Sequence, residues 1–163
     1  MTNYITIYEA EASTSIYIPI SSIVFLFLEI MVIAISVTIW RRQVFSTRIL
    51  LLFLMLFIGF LMFCSIYQYI DVRMNITDKY IDGNFEIVEG RIYNYEAVEK
   101  HEQGTDYFYV DNVMFSLSSF TGYGYNVEQR DGGVLKNGMS VKIYYVPYKY
   151  ENVMMRVELL ESS

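Results

Sequence analysis

Ile49–Ile70 reads ILLLFLMLFIGFLMFCSIYQYI, twenty-two residues without a charge. Coiled as an α-helix at about 1.5 Å per residue, this stretch reaches about 33 Å, the thickness of a hydrocarbon core of roughly 30 Å. A second run lies upstream: Ile18–Ile39, IPISSIVFLFLEIMVIAISVTI, equally long, with Glu29 as its one charge. A chain of 163 residues leaves no soluble partner large enough to bury two such runs. The sequence therefore predicts a two-helix transmembrane hairpin over residues 18–70, preceded by an N-terminal tail, residues 1–17. The first run is expected to be retained, because Met1–Tyr17 contains no Lys or Arg while a secretory leader opens on a basic segment.

The joining loop, 40–48 (WRRQVFSTR), holds Arg41, Arg42 and Arg48 and no acid, whereas the tail carries Glu9 and Glu11. Basic residues near membrane ends stay cytoplasmic. Trp40 at one interface, with Tyr17, Tyr67 and Tyr69 at the other, suits the same arrangement. The expectation is a multi-pass protein of the bacterial cytoplasmic membrane, with both termini and the C-terminal domain on the non-cytoplasmic side.

Counting inward from the basic loop puts Glu29 at the depth of Gly59 on the antiparallel run. A mid-membrane carboxylate is costly and faces protein or a water-filled cavity. A glycine opposite lets backbones approach or leaves room for the carboxyl. Glu29 and Gly59 are therefore candidate helix-association residues, within the hairpin, between copies of a homo-oligomer, or against another membrane protein. Ion or proton movement is the weaker reading, since neither run holds a second ionisable residue.

After Ile70 the composition changes. Residues 71–82 (DVRMNITDKYID) read as a helical extension or linker, and 83–163 as a soluble β-domain. Asp71–Ser163 carries nine basic and fifteen acidic residues, the whole of the chain's net charge of −6. That balance argues against a nucleic-acid surface. Cys64 is the single cysteine, so no disulfide forms within the chain. Phe85–Tyr95 is rich in Ile, Val and Tyr, with Gly90 marking a bulge or bend. Tyr107–Val110, the pair Asp111-Asn112 and Val113–Leu117 read as a hairpin. Val141, Ile143 and Tyr145 alternate with Lys142, Tyr144 and Val146, and Val153, Met155, Val157 and Leu159 mark one face of a last strand. Five strands in about 80 residues suggest an OB-like barrel, with an SH3-like barrel or compact sandwich as alternative.

Val88-Glu89-Gly90-Arg91-Ile92 and Gly138-Met139-Ser140-Val141-Lys142-Ile143-Tyr144-Tyr145 resemble the opening and closing strands of bacterial envelope proteins in which membrane helices carry a small β-domain. Within Phe85–Leu160 the sequence is also, more loosely, similar to the OB-like domain of NfeD-type membrane proteins, whose helical region is often larger than the two runs here. The resemblance implies an OB-like fold and brings no catalytic residues with it.

No catalytic, cofactor-binding or metal-binding set emerges. His101 has only Glu99 and Glu102 near it and no second His or Cys. Gly122-Tyr123-Gly124-Tyr125 is not followed by the Lys-Ser/Thr of a phosphate loop. Ser116, Ser118 and Ser119 lack a histidine close by, and Asp106, Asp111 and Asp131 would pair only by accident of fold. What stands out is aromatic. Phe120, Tyr123 and Tyr125 flank loop glycines, and Tyr148 and Tyr150 lie by the last turn, a candidate protein-recognition surface. The expected function is non-enzymatic: a membrane-anchored protein, with the lipid bilayer and a protein as partners, in an accessory or immunity-like role. The alternative is a small subunit or regulator of a membrane complex acting through its helices and Glu29. No cofactor is expected.

Overall fold

The computed structural model describes residues 4–10, 20–39, 45–98, 104–118 and 121–160. Two compact units divide the chain: Ser13–Arg73, and Met1–Ala12 with Met74–Ser163. The first is helical. It comprises α1 (Ile20–Ile39) and α2 (Phe45–Val72), which pack on each other. Leucine, methionine and phenylalanine fill much of α2, and proline is absent from it, so nothing interrupts its backbone ladder. Beyond Val72 the chain stays helical through a π-turn, Arg73–Thr77, and α3 (Asp78–Ile81).

The helical reading needs correction. Among the described residues one helix is long and apolar enough to cross a membrane, Ile49–Ile81. Within α1 the described apolar stretch is the shorter Ile23–Ala34. One candidate span replaces the predicted transmembrane hairpin, and with it the multi-pass localisation. The sidedness drawn from loop 40–48 goes too. Residues 45–48 of that loop, Arg48 included, belong to α2, and Trp40, Arg41 and Arg42 lie outside the described residues.

The second unit is one six-stranded antiparallel sheet in the order β1-β6-β5-β2-β3-β4. Its strands are β1 (Tyr4–Glu9), β2 (Glu86–Glu96), β3 (Asp106–Val110), β4 (Val113–Leu117), β5 (Ser140–Tyr148) and β6 (Glu151–Leu160). β2 pairs with β5 through Glu86–Arg91 and with β3 from Ile92 onward, so Gly90 sits near the handover. Asp111 and Asn112 join β3 to β4 with φ of 44° and 67°, the left-handed backbone of a tight hairpin turn, which short polar side chains tolerate best.

This sheet is open, which corrects the OB-like barrel and equally the SH3-like barrel and sandwich. The reason is a strand at the N-terminus. Tyr4–Glu9, read from sequence as part of a tail, pairs with β6 from Tyr4–Leu160 to Glu9–Arg156. β1 therefore occupies the edge of β6 that β4 would need for closure. β4 lies against β6, with the Asn152 amide donating to the Met114 carbonyl at 3.0 Å, but no ladder joins the two among the described residues.

The core lies on one face of this sheet. Phe108, Val110, Phe115, Leu117, Val141, Ile143 and Val157 are fully enclosed, with Ile92, Leu135 and Met154 beside them. β6 departs from simple alternation. Its register against β5 slips between the Tyr144–Arg156 and Tyr145–Met154 pairs, so Met154 joins Val157 in the main cluster, while Met155 is buried outside it.

Candidate functional site

β5 and β6 pair up to Tyr148 and Glu151, leaving Lys149 and Tyr150 as a two-residue turn. Lys149 has a φ of 53°, a conformation that costs a side-chain-bearing residue about 1 kcal/mol. Its ammonium sits 4.5 Å from the centroid of the Tyr148 ring, a cation–π contact. Tyr150 is 100 % exposed. Neither a strained lysine nor a bare tyrosine helps the fold, and such features gather where a surface has work beyond stability.

The structure sorts the predicted aromatic residues. Tyr123 stands edge-on to Tyr148, 5.9 Å between centroids, and its hydroxyl donates to Glu151 Oε1 at 2.6 Å. Tyr123, Tyr148 and Tyr150 thus come together at one end of the sheet. Tyr148 itself is buried beneath its neighbours. Tyr125 does not belong to a surface. It is buried in the core against Tyr8, and burial raises its hydroxyl pKa. Gly124 explains the misreading. Its φ is 69°, and a Cβ there would lie 2.7 Å from Val153 Cγ1 and 3.0 Å from the Met154 carbonyl oxygen. Glycine lets the loop press onto β6, where Tyr125 N–H bonds to the Met154 carbonyl at 2.8 Å, and this drops the ring inward. Phe120 and His101 lie outside the described residues.

A larger aromatic surface escaped the sequence reading. The core takes Asp106, Phe108 and Val110 of β3, so Tyr107 and Tyr109 face outward. Tyr109 pairs with Met114 and stacks on Tyr93, 5.7 Å between centroids; Tyr107 pairs with Ser116. Tyr93, Tyr107 and Met114 are exposed. The alternation of tyrosine with apolar residues over 106–110 is the signal that could have found this face.

Beside it lies a groove of about 500 Å³, bounded by Tyr107, Ser116, Thr121, Lys149, Tyr150 and Glu151. Residues of β3, β4 and the β5–β6 turn supply it, and the Asn152–Met114 hydrogen bond ties β6 to β4 nearby.

The remaining polar groups are structural. Asp106 is fully buried and accepts from Tyr95 Oη (2.9 Å), Val98 N (2.8 Å) and Gln129 N (2.9 Å). Burial, then this carboxylate, raises the Tyr95 pKa. Burial and the Glu86 carboxylate likewise push Tyr145 up to about 12. Asp111 sits in the β3–β4 turn and Asp131 is an exposed neighbour of Arg130, so the three aspartates do not converge. No group of three metal-ligating side chains occurs among the described residues.

In the helical unit, a Cβ at Gly59 would lie 3.5 Å from Glu29 Oε1. The carboxylate of α1 and the glycine of α2 therefore face each other.

No family model, no curated protein and no solved structure matches the chain.

Proposed function

We propose that this chain is a non-enzymatic, membrane-anchored recognition protein. Its apolar helix holds it at the bilayer, and its β-unit binds another protein in an accessory or immunity-like role. The observation that carries binding is the exposed face of Tyr93, Tyr107, Tyr109 and Met114, running toward Tyr150. Aromatic rings and methionine give large contact area at low entropic cost, and exposed clusters of them mark interaction surfaces. Anchoring is supported by the side chains around Ile49–Ile81: Leu50, Phe53, Leu56, Phe60 and Phe63 are all exposed, a surface that water disfavours and lipid accepts.

A photo-crosslinking amino acid placed at Tyr109 tests both parts in isolated membranes. One discrete adduct is expected there, lost when Tyr93 and Tyr107 are changed to Ser. The same probe at Ile87, exposed on β2 but paired opposite Tyr144, should give none. Equal adducts at both positions, or release of the chain from membranes by carbonate, would reject the reading.

The facing of Glu29 and Gly59 favours a second reading, in which the chain is a small subunit or regulator of a membrane complex. A carboxyl beside a glycine offers a hydrogen bond to a partner helix at a point where backbones can come close.

A further inference from the structure

We propose that the groove between the outer face of β3–β4 and the β5–β6 turn is a saccharide site, taking a short uncharged oligosaccharide. The inference rests on reading the Lys149–Tyr150 turn as a recognition element, and the groove shares Tyr107 and Met114 with the protein-binding face. Four observations combine. The volume, about 500 Å³, falls within the roughly 300–1,000 Å³ of small-ligand clefts. Two exposed tyrosine rings, Tyr107 and Tyr150, flank it. A sugar ring has an apolar face of C–H groups, and a flat amphipathic ring is the side chain that covers such a face while leaving the sugar's edge free for hydrogen bonds.

The third observation is hydroxyl density. Thr105, Ser116 and Thr121 join the two tyrosines along the walls, and Glu151 adds a carboxylate. Each hydroxyl donates one hydrogen bond and accepts others, the same mixed capacity a sugar hydroxyl has, and the carboxylate accepts from adjacent sugar hydroxyls. Beside the tyrosine rings, Met114 is the one apolar aliphatic side chain on the wall. Fourth, Lys149 and Glu151 offset each other at the groove in a chain of net charge −6, which favours a neutral ligand over a polyanion.

The test uses the full chain in phospholipid nanodiscs, since sugar-headed detergents would compete. Cellotetraose, maltotetraose and chitotetraose are offered at ~5 mM, and saturation-transfer NMR reads contact with ligand protons. At least one is expected to bind. Tyr150→Ala should raise its Kd about tenfold, while Tyr150→Phe, which keeps the ring, should stay within about threefold. Tyr150 is bare, so unfolding of the Ala variant should match the parent and loss of binding is not loss of fold. Tyr107→Ala is the second variant, expected to weaken the same ligand. No transfer to any of the three sugars, or transfer undiminished in both Ala variants, overturns the proposal. The Tyr109 cross-link is read separately: if it persists while every sugar fails, the groove assignment alone falls.

Discussion

In Ser13–Arg73 the large side chains point outward: Phe27, Leu56 and Phe63 are among the most exposed apolar residues of the chain. In the β-unit the order is reversed, with Phe108, Phe115 and Val157 fully enclosed. Both units are rich in apolar residues, so composition does not separate them. Spacing does. A helix that is apolar all round has no inner face to hide, whereas period-two alternation sends half of its residues to one side.

The sharpest test of this contrast is one charge placed in each unit. Val157→Asp puts an unpaired carboxylate into a dry core and should cost about 4 kcal/mol or more, abolishing the cooperative near-UV transition of the β-unit. Leu56→Asp, at a site 71 % exposed, should leave that transition within about 0.5 kcal/mol of the parent. It should instead weaken retention in membranes, since an aspartate at the centre of a span costs about 3 kcal/mol. If Leu56→Asp unfolds the sheet, the two units are not separate in their energetics.

Polar groups inside the β-unit come next. Asp106→Ala strands the Tyr95 hydroxyl and the Val98 and Gln129 amides, and should cost about 3 kcal/mol in urea unfolding. Alkali probes the same region. Tyr95 and Tyr145 both have pKa values raised above the usual tyrosine value of about 10. The unfolded chain then loses protons that the folded one keeps, so stability falls as pH rises. It should be constant below pH ~10 and decline toward pH ~12, less steeply in Tyr95→Phe. A flat profile of unfolding midpoint across that window would contradict the burial of these hydroxyls.

The smallest effect concerns the helical unit. Glu29→Leu should reduce self-association or partner capture by about 0.6 kcal/mol, read as crosslinking yield in membranes, and Glu29→Gln should be tolerated. A Leu variant that crosslinks like the parent, with a Gln variant that loses activity, would shift the role from association to ionisation.

Much of the β-unit was legible because its signals are local. The hairpin at Asp111-Asn112 and the strands around it follow from turn chemistry and alternation within ten residues. The Tyr125 ring was misplaced because its burial depends on Gly124 docking against Val153, a contact thirty residues away in sequence. Barrel closure failed for a still more distant reason. Six residues before the helices, YITIYE, carry the alternation of a strand but are too few to stand out, and only β6 gives them a partner. The hairpin was read from two runs of uninterrupted hydropathy, of which one, among the described residues, has the length and hydropathy of a span. The facing of Glu29 and Gly59, by contrast, needed only a count from the turn between two antiparallel runs.

The pairing of β1 with β6 also sets an order of events. Tyr4 leaves the ribosome before any other strand residue and bonds opposite Leu160, which leaves after nearly all of them. Long-range pairings of this kind close slowly, because the loop entropy is lost before the contact forms. Until then the outer edge of β6 is bare, an open template for a strand from a neighbouring chain. Arg156, which reaches both Glu9 and Thr6, is the group waiting on that edge. A bulky group placed ahead of Ile5 would therefore be felt at β6, as aggregation during synthesis and not as a defect of the helices.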